Sequence, residues 1–249
     1  MINDFIGFSN QTYNREHRCG DCPNECPETG NCEQCLENVH YGIGGRTYNC
    51  TNILNYYIGK YTYKYSSEIG HVFNYQRFGN FQEYNVLSLG CGPCTDYFGI
   101  SNSISNNNRN IDLNYLGIDI NRDWNPVHNW IDGRSNNNYD ILYMDVFDFL
   151  ANPAQHLNGY VPNIVIVNYL ISDLIKAGYD IDTFVNLFEQ NVFRGLSANS
   201  YLIINDYNRG VNQNDPRTHY SSFVHAIREN SNVDCFYAHF RHNINNSRP

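Results

Sequence analysis

Residues 85–96 read Asn85-Val86-Leu87-Ser88-Leu89-Gly90-Cys91-Gly92-Pro93-Cys94-Thr95-Asp96. An apolar run ends in Gly-x-Gly, and a helix-compatible segment follows. Neither glycine carries a Cβ, so such a turn lets backbone come close to a ligand. It also aims the unpaired N–H groups of the next helix at whatever lies above the strand. The stretch therefore predicts a strand–turn–helix unit with a nucleotide-like binding site at its apex.

Beyond this unit the chain alternates strand and helix. Strands are expected at residues 86–89, 115–120, 141–144, 164–167 and 201–204, with a closing strand at 235–240. The run at 164–167 is wholly apolar, as suits a central parallel strand. Helices are expected at 93–103, 124–131, 172–176, 183–196 and 219–230, with one helical turn at 147–150. This order predicts an α/β fold with a doubly wound, mostly parallel sheet. Ligands on such sheets bind beyond the carboxyl ends of the strands. Asp119, Asp145, Asn168 and Asp206 all fall at strand ends.

Ahead of the sheet, Cys19, Cys22, Cys26, Cys32 and Cys35 are spaced C-x2-C-x3-C-x5-C-x2-C among glycines and prolines. A C-x2-C pair sets two thiolates on one tight turn, about right for two corners of a tetrahedron with Zn–S distances of ~2.3 Å. Cys19, Cys22, Cys32 and Cys35 make a plausible structural zinc site. Cys26, His40 and Cys50 are alternates, and His17 is a weaker one. Reduced thiols without metal, or an iron–sulfur cluster, are the competing readings. The C-x3-C-x2-C triplet of radical S-adenosylmethionine chemistry is absent. A closed zinc site does no chemistry; it would hold a small polar segment together for recognition or docking.

Residues 1–18 read as a lead-in, and 51–74 as one helix or two with a break near Gly59. Ile53, Tyr56, Tyr57 and Tyr61 recur there at helical spacing. Its tyrosines are expected to pack rather than to stack on bases. Lys60 and Lys64, with Arg46 and Arg77, form the best local basic patch. Three segments follow: a cysteine-rich zinc-binding module at 1–50, a helical linker or substrate-recognition segment at 51–80, and the α/β domain at 81–249.

The 249 residues are 41% hydrophobic and 15% aromatic, with 21 tyrosines and a formal charge of −9. That composition suits a globular protein and argues against a broad basic surface for phosphate backbones. No run approaches the roughly 20 apolar residues of a membrane span. The sequence thus reads as soluble and cytoplasmic, with no membrane partner and no sign of oligomeric state.

In the order glycine turn, acid after strand two, acid after strand three, the chain resembles the class I S-adenosylmethionine-dependent methyltransferase family. The resembling stretches are VLSLGCGPCTD (86–96), YLGIDIN (115–121), ILYMDVFDF (141–149) and NIVIVNYLISDL (163–174). The resemblance spans about 81–240 and implies a Rossmann-like methyltransferase sheet. By it, Gly90, Cys91 and Gly92 lie against the amino-acid portion of S-adenosylmethionine. Asp119, with Ile120 beside it, takes the ribose hydroxyls; Asp145 and Val146 meet adenine. Asn168 and Tyr169 line the cleft near the methyl group and are the catalytic candidates. Ser88 stands where the family commonly has Asp or Glu, so Asp96 is expected to replace that tie to the cofactor's ammonium. Cys94 stands where glycine is frequent. A nicotinamide-binding rival would continue to a third glycine, but Thr95 occupies that place.

Tyr169, Asp173, Asp206, Tyr207, Arg209 and His219 are substrate-side candidates. The segment after strand four lacks both the Asn-Pro-Pro-aromatic signature of adenine amino methylation and the Pro-Cys of cytosine C5 methylation. The acceptor, whether RNA, protein or small molecule, is therefore open. The alternative is a catalytically inactive protein of the same fold that docks a partner through its zinc module.

Overall fold

The computed structural model describes residues 1–13, 32–40, 47–75, 78, 81–107, 110–206, 223 and 227. The expected helix at 219–230 and closing strand at 235–240 lie outside them, except for Phe223 and Ile227, both buried.

The sheet is built from β1 (Glu83–Leu89), β2 (Asp112–Asp119), β3 (Asn138–Tyr143), β4 (Ile164–Asn168) and β5 (Tyr201–Asn205). Among the described residues it has five strands in the order β3-β2-β1-β4-β5, with every pair parallel. The order reverses direction beside β1, which puts the switch point at the glycine turn. Residues 164–167 of β4 have no solvent exposure, as the apolar run predicted. The strands β1, β2 and β3 begin earlier than expected because polar residues such as Asn85 and Asn114 still pair at their amino ends, whereas β4 and β5 begin as expected.

Alternation along each strand divides the core. Tyr84, Val86, Leu113, Tyr115, Ile164, Ile166 and Ile203 face one side. Leu87, Leu89, Leu116, Ile118, Val165 and Val167 face the other. The first side is covered by α1 (Ile2–Thr12), α2 (Cys32–His40), α3 (Thr51–Tyr75), α4 (Thr95–Asn106) and α5 (Asn125–Asp132). The second is covered by α6 (Val146–Ala151), α8 (Leu170–Lys176) and α9 (Ile181–Asn191); the short α7 (Pro153–Leu157) follows α6. The result is a three-layer, doubly wound α/β fold.

One expectation needs correction. Residues 1–18 are not all lead-in, because α1 is part of the core. Phe5 has no exposure; its ring lies 4.6 Å from Phe98 and 5.5 Å from Trp130. One turn on, the Ser9 hydroxyl donates to the Asn55 carbonyl at 2.8 Å. Of the two readings of 51–74, the single helix is the one found, since α3 runs through Gly59 unbroken. Leu54, Ile58, Thr62, Tyr65, Ile69 and Phe73 form a buried stripe at steps of three and four residues. Continuous burial of that stripe outweighs the roughly 1 kcal/mol that one helical glycine costs.

Candidate functional site

The turn after β1 is held by its neighbour. The amides of Gly90 and Cys91 both donate to the Ile118 carbonyl, at 2.8 and 3.0 Å, which folds the chain over the end of β2. The Cys94 amide then donates to the Cys91 carbonyl at 2.8 Å. Gly90 and Gly92 have φ of +66° and +50°, a region glycine enters without steric cost. At Gly92 a Cβ would meet nothing within 4 Å, so the loop presents bare backbone to open space. Cys94, at φ +56°, leads into α4 in the same left-handed region.

Asp119 closes the loop from below. Its Oδ2 accepts from the Gly92 amide at 2.7 Å and its Oδ1 from the Asn121 amide at 2.8 Å. Burial nevertheless pushes its carboxyl up to about 6, against the pull of those two amides. Next to it, Ile120 is 64% exposed, an apolar side chain standing in water at the strand end. Asp145 caps α6, its Oδ1 accepting from the Phe147 amide at 2.7 Å, while Val146 is buried behind it.

Ser88 and Asp96 are placed differently from expectation. Both are 1% exposed. The Ser88 hydroxyl donates to Asp96 Oδ2 at 2.6 Å and the Tyr115 hydroxyl to Oδ1 at 2.9 Å. Both side chains are thus core groups under the loop, with the Asp96 carboxylate turned to Ser88 and Tyr115. Burial raises the Asp96 carboxyl to about 7, despite the two hydroxyl donors. Alternation on β1 explains it: position 88 shares a face with Tyr84 and Val86, and that face is covered by helices.

On the other side of the switch point, Asn168 ends β4 and its Oδ1 accepts from Asn205 Nδ2 at 2.9 Å. Tyr169 follows at φ +58°, a strained position for a bulky residue. Its ring lies 4.3 Å from that of Tyr65, and its hydroxyl donates to Glu68 Oε2 at 2.9 Å. Glu68, 2% exposed, also accepts from Asn205 Nδ2 at 2.8 Å. Lys64 Nζ lies over the Tyr65 and Tyr169 rings, at 5.1 and 5.5 Å, and burial lowers its pKa. Tyr57, Tyr61, Tyr65 and Tyr169 thus form an aromatic wall from α3 to the end of β4. Glu68 was missed in the sequence because its partners lie 101 and 137 residues away.

The remaining candidates split. Asp206 accepts from the Ser172 amide at 2.9 Å, so it caps α8. Asp173 pairs with Lys176 at 2.7 Å on the surface. Lys60 pairs with Glu33 at 3.1 Å. Tyr207, Arg209, His219, Arg46 and Arg77 lie outside the described residues.

So do Cys19, Cys22, Cys26 and His17. The second C-x2-C pair, Cys32 and Cys35, opens a helix rather than sitting in a loop, and both are buried, as is Cys50. Burial lowers the pKa of His40 to about 4, and its Nε2 is buried with no hydrogen-bond partner among the described residues. A different set of donors converges elsewhere: Cys91 Sγ, Cys94 Sγ and a His128 ring nitrogen all lie within 4.8 Å of one another. None of the metal residues expected from the sequence is in that set. Burial drives the Cys91 thiol up. It acts on Cys94 too, but the Cys91 hydrogen bond and the His128 imidazole outweigh it and hold Cys94 well below its ordinary value.

No helix among the described residues is long and apolar enough to cross a membrane. No family model and no curated protein match the sequence. Among solved structures, the fold is similar to the plantazolicin methyltransferase BpumL in complex with a pentazolic desmethyl analogue and SAH. That match has 16% identity and a TM-score of 0.44, over 77% of this chain and 69% of that one. It is also similar to BpumL with SAH alone, at 16% identity and a TM-score of 0.42, over 90% of this chain and 71% of that one. A likeness of this degree carries nothing about ligand or reaction.

Proposed function

We propose that the chain is an S-adenosylmethionine-dependent methyltransferase. The observation that carries this reading is the bare Gly92 backbone at the switch point, tied by its amide to the acid that ends β2. A carboxylate there accepts from both hydroxyls of a ribose, and its second lone pairs remain available for them. Burial raises its pKa, and two sugar hydroxyls would add donors that favour the charged form. Gly90, Cys91 and Gly92 would bear on the amino-acid end, Ile120 on one face of the adenine, and Asp145 with Val146 on its edge. The sulfonium supplies an electrophilic methyl for in-line displacement. The chain's part is to hold donor and acceptor in line and to exclude water.

The acceptor would enter along the aromatic wall, against Tyr169 and Tyr65, with Asn168 and Tyr169 orienting it. Glu68 holds the Tyr169 ring through its hydroxyl and is the positioning residue of that wall. The acceptor class, RNA, protein or small molecule, is left open. The cysteine-rich segment 1–50 is assigned to structural zinc and recognition, and 51–80 to presenting the aromatic wall. Cys32 and Cys35, one helical turn apart, fit two corners of such a site. His40, kept neutral by burial, is in the ligating form.

A second reading, an inactive docking protein, draws on Asp119 having both oxygens engaged by backbone amides. Calorimetric titration of the full chain with S-adenosylmethionine separates the two. The methyltransferase reading expects saturable binding that Asp119→Ala weakens at least about tenfold, about 1.4 kcal/mol. No heat of binding, or equal affinity in the variant, rejects it.

A further inference from the structure

We infer that Cys91, Cys94 and His128 form a zinc site behind the glycine loop. Four observations converge on it. First, the three donors come from two rigid elements, the turn after β1 and helix α5, and lie within 4.8 Å of one another. Ligands of a tetrahedral zinc, at ~2.0–2.3 Å from the ion, stand nearly this close, so small side-chain rotations complete the geometry.

Second, Cys91-Gly92-Pro93-Cys94 has C-x2-C spacing on a turn closed by the Cys94 amide and the Cys91 carbonyl. Such a turn directs two thiols at one point. Third, β2 makes room for the sulfur. A Cβ on Gly117 would stand 2.7 Å from Cys91 Sγ and 2.6 Å from Ile141 Cδ1. A glycine inside a strand weakens it, and here its missing side chain is the space the thiol occupies.

Fourth, the imidazole is already oriented. His128 Nδ1 lies 2.6 Å from the Tyr143 hydroxyl, and Nε2 lies 2.7 Å from the Gly92 carbonyl. A carbonyl only accepts, so without metal Nε2–H donates to Gly92; once the proton sits on Nδ1 and is donated to the Tyr143 oxygen, Nε2 is left to ligate, the arrangement in which an outer partner fixes the tautomer of a metal-bound histidine. The Gly92 carbonyl, 3.9 Å from Cys94 Sγ, is an oxygen at hand for the fourth position. Two thiolates and an imidazole select zinc over magnesium or calcium. Zinc entry replaces the His128–Gly92 hydrogen bond, displaces the thiol protons, and pins residues 91–94 to α5. The ion would be structural: it stiffens the loop whose Gly92 amide meets Asp119. This inference does not rest on nucleotide binding.

The test is zinc content of the purified full chain by mass spectrometry after dialysis, compared with Cys91→Ser, Cys94→Ser and His128→Gln. Each variant is expected to lose about one ion per chain relative to wild type, whatever the other cysteines hold. Because a misfolded variant would also lose zinc, wild-type protein is alkylated with and without a chelator as well. Cys91 and Cys94 are expected to become reactive together only when the chelator is present. Equal zinc in wild type and variants overturns the site. Labelling that ignores the chelator overturns it too, as does recovery of a Cys91–Cys94 disulfide from native protein.

Discussion

The two faces of this sheet are built from the same alternating strands, yet they are cored by different chemistry. The face under α6, α8 and α9 is mostly hydrocarbon: Leu87, Leu89, Ile118, Val165, Val167, Phe149, Phe184 and Phe188 are fully buried. The face under α3, α4 and α5 buries polar groups among its rings. Ser88, Asp96 and Tyr115 are linked there, as are Tyr97, Ser135 and Asn137, and Cys94 meets the Tyr139 hydroxyl at 3.2 Å. Burial of hydrocarbon is non-directional and asks only for volume and pattern. Hydrogen bonds have direction, so the polar face dictates where the glycine loop and its neighbours sit. One face supplies stability and the other supplies geometry.

The comparison can be broken at its hydrocarbon side first. Phe188 has no exposure, and its ring lies 5.8 Å from that of Phe223 and 6.3 Å from that of Phe184. Phe188→Ala is expected to cost about 3–5 kcal/mol in urea unfolding. A cost below about 1 kcal/mol would mean this face is not the main source of stability.

On the polar face, Asp96 gives stability a pH dependence. Its carboxyl rises from 3.8 to about 7 on folding, chiefly through burial, so the folded state favours the protonated form. The stability it contributes is complete below about pH 4 and is lost as pH rises through about 7. Asp119, raised to about 6, acts in the same direction. Asp96→Asn removes one of these two slopes, worth at most roughly 4 kcal/mol between pH 4 and 8. Urea midpoints from pH 5 to 8 should therefore move in favour of the variant as pH rises. A constant difference would place the Asp96 charge in a well-solvated setting.

The smallest effect sharpens the contrast. Tyr97 is fully buried, and its hydroxyl meets Ser135 Oγ at 2.7 Å and Asn137 Nδ2 at 3.0 Å. Tyr97→Phe keeps the ring and is expected to cost about 1–2 kcal/mol. The loss should appear in amide exchange around residues 135–137 before it appears elsewhere. Uniform loosening of the whole sheet would show that the bond carries no local geometry.

Much of this was legible in the linear chain. The glycine turn, the acids after β2 and β3, and the wholly apolar β4 are local patterns, and the structure places them as read. The misreadings have one source. Ser88 and Asp96 are read from the resemblance to a family's pattern, whereas strand alternation and the roof of helices decide which way they face. The amino-terminal helix was passed over because its apolar residues are few. Its value lies in what Phe5 meets, Phe98 and Trp130, far along the chain. The spacing of Cys91 and Cys94 is absorbed into the glycine turn, although C-x2-C is the very signal sought at Cys19–Cys22 and Cys32–Cys35.

By itself the sequence determined the parallel sheet and where its glycine turn and strand-end acids lie, because strand period and backbone freedom at glycine are properties of a few adjacent residues. Only the tertiary structure decided that His128 meets Cys91 and Cys94, and that Glu68 of α3 holds Tyr169 beyond β4. Those partners are tens of residues or more apart along the chain, and nothing local encodes which helix packs over which strand end. That choice is made by the whole core when it closes.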